Sequence, residues 1–197
     1  GAVEQHHAGG HGTVEAPVRA APRPAQDGLS LHVPGQQLPD VPDREDVGID
    51  DDGSAGAEFE LTLRNDAPTS GQPPYVIGPF RSENAGSILR SLQAGESVAL
   101  VNVYCGADCI PLSARMDGVP VEVTTDVDLG MRYIQDYYSI RSGEQKTLQL
   151  SWDEPSAWDG NGSGGTYRMT FTNQVTIRPA TLHLRIQPPD GMRIVSA

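Results

Sequence analysis

From residue 57 onward the chain alternates apolar and polar side chains with period two, the signature of half-buried strands. Phe59, Leu61 and Leu63 form one such set, with Glu60 and Thr62 between them. Leu148, Leu150 and Trp152 form another, as do Tyr167, Met169 and Phe171, and Leu182, Leu184 and Ile186. The intervening Gln149, Arg168, Thr170, His183 and Arg185 are expected to face water.

Residues 98–104 are apolar on both faces, which suits a central strand covered on both sides or one on the inner sheet, and make the best candidate for the core. Leu112, Ala114 and Met116 precede Asp117-Gly118, and Val119, Val121 and Val123 follow it. Asp-Gly is a strong signal for a type I′ hairpin, because both of its central positions need positive φ. Residues 131–140 carry Tyr133, Ile134, Tyr137, Tyr138 and Ile140 and predict an aromatic-rich strand. One short helix is expected at residues 84–92. Residues 91–100 (SLQAGESVAL) echo 139–148 (SIRSGEQKTL), each a Gly-Glu turn feeding a strand.

The pattern predicts an all-β fold, an immunoglobulin-like antiparallel β-sandwich of about eight strands over residues 57–197. Residues 1–56 lack sustained alternation and carry six prolines, repeated glycine and the run Asp50, Asp51, Asp52. Such a stretch cannot by itself bury enough surface to offset its ordering entropy. It is read as an extended arm or linker, with residues 29–33 (LSLHV) able to form a strand if something pairs with them.

Charge narrows the partners. With 14 basic and 26 acidic residues the net charge is −12, so the phosphate-neutralising attraction behind most nucleic-acid binding is missing. No stretch nears the roughly 20 apolar residues that span a bilayer, and no signal-peptide pattern opens the chain, so membrane insertion by this segment is not expected. An ectodomain of a secreted or membrane-anchored protein has this composition.

Cys105 and Cys109 are the only cysteines, and their spacing suits a small disulfide loop after a strand. Free thiols are the alternative; a metal pair would need further ligands that no nearby residue supplies. A disulfide would imply an oxidising, extracytoplasmic location.

Chemistry-bearing motifs are few. Four of the five histidines, His6, His7, His11 and His32, lie in the arm and His183 on a solvent-facing strand position, so no general base stands beside a nucleophile. His6, His7 and His11 could chelate a transition metal, although an unstructured tail is the plainer reading. The acids Asp126, Asp128, Asp136, Glu144, Asp153, Glu154 and Asp159 could in principle supply a hydrolytic pair, but solvated acids are the expected background at this net charge. No enzyme activity and no cofactor are expected.

Asp159, Asn161 and Ser163, followed by Gly164, imitate the first half of a calcium loop, yet Thr170 stands where the bidentate Glu belongs, which favours a glycine hairpin. Trp158, Tyr137, Tyr133 and Asp136 are candidate contacts for a sugar, against core packing as the alternative for the rings.

Residues 60–68 (ELTLRNDAP), 74–78 (PYVIG), 99–104 (ALVNVY) and 116–120 (MDGVP) occur in an order that resembles the C-terminal extracytoplasmic region of a family of large, uncharacterised actinobacterial membrane-anchored proteins. The Gly143-Glu144 turn, residues 165–169 (GTYRM) and residues 188–191 (PPDG) fit the same outline, which covers about residues 59–195. Cys105, Cys109 and the arm lie outside it. The resemblance implies a cell-envelope location and carries over no site residues. The expected role is a non-catalytic module that spaces a larger surface protein or docks a protein partner through its strand edges, with binding of cell-wall polysaccharide as the alternative.

Overall fold

The computed structural model describes residues 11–20, 29–33, 43–78, 92–161, 163–172 and 182–195. The fold is all-β and of sandwich type. Fourteen strands occur among the described residues, more than the eight expected, because several short strands and three N-terminal ones join the sheets. The chain forms two units, one of residues 1–61, 106–113 and 149–197, the other of residues 62–105 and 114–148.

In the first unit, β1 (His11–Ala20) lies between β12 (Gly164–Thr172) and β14 (Met192–Ile194), with β11 (Trp158–Asn161) beyond β12. A second sheet runs β2 (Leu29–Val33), β13 (Leu182–Gln187), β3 (Asp43–Ile49), β4 (Ala55–Arg64), β10 (Gln145–Glu154), β6 (Ile110–Met116). Val47, Ile49, Ala55, Ala57, Leu150, Trp152, Leu184 and Ile186 point inward from it and are buried. Trp158 and Tyr167, opposite each other on β11 and β12, are buried as well.

The segment read as an arm therefore supplies β1, β2, β3 and the start of β4, and residues 29–33 do form a strand. Its alternation was hidden because β3 places Glu45, a charged residue, at an inward position beside Val47 and Ile49. Nor is the sheet wholly antiparallel: β3 runs parallel to β13, with Glu45 opposite Leu184. The acidic run turns the corner between β3 and β4. Asp52 Oδ1 accepts from the Ser54 amide at 3.0 Å and from its hydroxyl at 2.6 Å, and these bonds hold the carboxyl below its usual range.

In the second unit, β5 (Ser97–Cys105), β9 (Met131–Ile140) and β8 (Thr124–Asp128) form a sheet in that order. One face buries Val103, Cys105, Ile134, Tyr138 and Ile140. Burial and the nearby Asp136 charge push the Tyr138 hydroxyl up to about 12. Among the described residues strand β5 is thus an edge, half buried, and not the doubly covered core strand that its sequence suggests; Leu100 and Tyr104 are 48% and 44% exposed.

The Asp117-Gly118 turn forms as read, with φ of 52° and 77°, and joins β6 to β7 (Val119–Pro120). That second strand is only two residues long; the pairing runs on by one bond, from the Val121 N–H to the Ala114 carbonyl at 3.1 Å, and Val123 is not part of the strand. The one described helix is a single turn, α1 (Pro74–Ile77); residues 84–91 of the expected helix lie outside the described residues.

Asn65 closes the end of this unit where β5 begins and β9 ends. Its side-chain amide donates to the carbonyls of Gly95 at 2.7 Å and Ile140 at 2.8 Å, and its backbone N–H donates to Glu144. The echoed segments fold alike around it. Gly95 and Gly143 both take positive φ, and Glu96 and Glu144 each accept at 2.7 Å from the amide three residues earlier, Gln93 and Arg141.

Candidate functional site: the open face of the three-stranded sheet

Residues directly opposite in an antiparallel ladder share a face. Along β5 and β9 the pairs Tyr104–Tyr133, Asn102–Gln135 and Leu100–Tyr137 lie on the face away from Val103 and Ile134. From β8, Asp126 stands opposite Tyr133, Thr124 opposite Gln135 and Asp128 opposite Met131. This face is open to solvent: Tyr137 is 54% exposed and Met131 38%.

The face has internal order. Tyr104 and Tyr133 pack with ring centroids 5.5 Å apart at 49°. Tyr104 donates its hydroxyl to Asp128 Oδ2 at 3.2 Å; partial desolvation, then this bond, raise its pKa. Gln135 Nε2 donates to Asn102 Oδ1 at 2.7 Å. That single bond leaves the Asn102 amide N–H groups and the Gln135 carbonyl as further donor and acceptor capacity. Rings therefore stand at both ends of a strand-long surface, about 13–14 Å apart from Tyr133 to Tyr137, with a paired amide set between them.

Of the residues singled out for sugar contact, Tyr133 and Tyr137 belong to this face. Asp136 does not, since it alternates to the opposite side, where its Oδ1 accepts from the Tyr137 amide at 2.7 Å. Trp158 is buried in the first unit, 7% exposed, with Nε1 donating to the Asp50 carbonyl at 3.0 Å. Tyr104, Asn102, Gln135, Asp126 and Asp128 were not foreseen as a set. The one signal for them was Asn102, a polar residue inside an otherwise apolar run.

The calcium-like sequence forms a hairpin in which Gly160 pairs with Gly165 and Asn161 with Gly164. A Cβ added at Gly160 or Gly165 would overlap the Trp158 ring, so these glycines seat the indole. Asp159 is exposed on this hairpin, opposite Thr166. Among the described residues no group of three or more His, Cys, Asp or Glu is placed to hold a metal. Cys105 and Cys109 are joined in a disulfide. Among the described residues no helix is long and apolar enough to cross a membrane.

A second cluster lies in the core of the first unit. Glu45 is 6% exposed and its carboxyl is pushed up to about 8, by burial first and by the Glu154 charge second. Trp152 Nε1 donates to Glu154 Oε1 at 2.9 Å. Burial, Glu154 and Glu45 together raise the Tyr167 hydroxyl. Sequence reasoning included Glu154 among the acids but not Glu45, which lay in the supposed arm. Neither acid lines the open depressions described on this unit, one bordered by Asp46, Glu58, Ser151 and Arg185 and another by Arg44, Asp46, Glu58 and Ser151.

No family model, no curated protein and no solved structure matches the chain.

Proposed function

We propose that the chain is a non-catalytic, extracytoplasmic binding module of the cell envelope, and that the open face of β5, β9 and β8 takes a glycan. The carrying observation is Tyr104, Tyr133 and Tyr137 set around the Asn102–Gln135 bridge on an exposed sheet face. Tyrosine rings offer an apolar surface to the C–H face of a sugar and a hydroxyl to its edge, and a few fixed polar groups supply orientation. Among the described residues the face carries Asp126 and Asp128 on β8 and Glu96 bonded to Ser139 at its end, and these acids favour neutral or amino-bearing sugars over anionic wall polymers. The disulfide and the resemblance to envelope proteins support the location.

The test is calorimetric titration of the purified chain with soluble neutral, amino-bearing and uronic-acid oligosaccharides. Binding of the first two classes and not the third is expected, with Tyr137→Ala weakening it about tenfold, as loss of one ring contact of roughly 1.4 kcal/mol requires. Absence of binding to every class, or unchanged affinity in Tyr137→Ala, overturns the assignment. The alternative role in protein docking is favoured by a different feature, the edge of β5 that has no partner among the described residues.

A further inference from the structure

Strand β5 pairs, among the described residues, on one side only, with β9. Proteins normally guard such an edge with charge, proline or a bulge, because its free N–H and C=O groups template another strand. The two edges of this sheet differ in that respect. Strand β8 is five residues long and carries Asp126 and Asp128. Strand β5 is nine residues long, SVALVNVYC, with no charge and no proline, in a chain whose net charge is −12.

The structure points to β5 as a self-pairing edge: we propose that it adds antiparallel to β5 of a second copy, centred on Val101, making one six-stranded sheet from two three-stranded ones. A two-fold interface requires a patch that complements itself. Centred on Val101, the open face sets Leu100 against Asn102 and Val98 against Tyr104, and the other face sets Ala99 against Val103. No like charges meet at any of these positions. A chain of this charge repels its copies elsewhere, and an uncharged edge is where that repulsion is weakest.

The consequence for the face is specific. Leu100, Asn102 and Tyr104 lie in the strand next to the junction, so the open faces of the two copies become one surface carrying both sets of tyrosines. The dimer does not depend on what that surface binds, and its test uses no ligand.

Sedimentation velocity over a concentration series reaching about 0.1 mM reads the association directly. A concentration-dependent dimer is expected. The double variant Leu100→Lys, Asn102→Lys places Lys opposite Lys at both symmetry-related copies of the Leu100–Asn102 pair and is expected to be monomeric; both positions are exposed, and circular dichroism checks that the fold is kept. Mixing it with Leu100→Glu, Asn102→Glu is expected to restore a dimer of one copy of each. A wild-type monomer throughout the series overturns the proposal, as does a lysine variant that still dimerises or a mixture of the two variants that stays monomeric.

Discussion

The indole N–H of Trp158 donates to the carbonyl oxygen of Asp50, 108 residues earlier, and its ring lies over Gly160 and Gly165. One side chain therefore joins the β3–β4 turn to the β11–β12 hairpin. Trp158→Phe keeps a ring but leaves the carbonyl with the Gly53 N–H alone as donor, and should cost about 1–2 kcal/mol. Gly160→Ala should cost about 1–3 kcal/mol by overpacking against the indole. Urea unfolding with constant m checks both, and a neutral Gly160→Ala would show that the ring has room to move.

Glu45 makes stability depend on pH in a stated direction. Its pKa rises from an ordinary 4.5 to about 8 on folding, so between those values the folded state binds the extra proton. The contribution is fully present below about pH 4.5 and is lost as pH rises through 8, a change on the order of a few kcal/mol. Glu45→Gln, which cannot ionise, should flatten that slope and be the more stable protein at pH 8. Thermal unfolding at several pH values reads it; parallel curves for both proteins would mean that Glu45 is solvated.

Asn65 is buried and makes its bonds to Gly95 and Ile140 through one amide group. Asn65→Ala should destabilise by about 2–4 kcal/mol, since two carbonyls lose their donor. Asn65→Asp should be at least as harmful, because it replaces the donor by a charge facing the same carbonyls. Hydrogen exchange would place the loss at the amides of β5 and β9.

The disulfide closes a loop so short that its entropic effect is small, about 2 kcal/mol by chain-closure reasoning. The intact protein should weigh about 2 Da less than the dithiol form. Replacing both cysteines by serine should lower stability by no more than that amount.

Much of the fold was legible because its strands obey a simple rule: Leu148, Leu150 and Trp152 alternate with polar residues and are all buried. The rule failed where the environment was unusual. Glu45 broke the alternation of β3 while occupying an inward site, and β3 was therefore read as part of an arm. Residues 98–104 failed in the opposite sense, since apolar side chains at both parities do not distinguish a covered strand from one whose outer face waits for something else. The tyrosine face was only partly visible, Tyr133 and Tyr137 being singled out without Tyr104, for a related reason. Tyr104 and Tyr133 are 29 positions apart, and only the β5–β9 register brings them together.

That register has a fixed origin. The amide of Asn65 sits at the point where Ser97 and Ile140 are opposed, and every later pair along the ladder is counted from there. Slipping by one residue would turn β5's outward side chains to the inside and bring Val103 and Cys105 out. A polar group that no ligand would touch thus sets the alphabet of the surface, deciding which of two alternating messages written in β5 the protein displays.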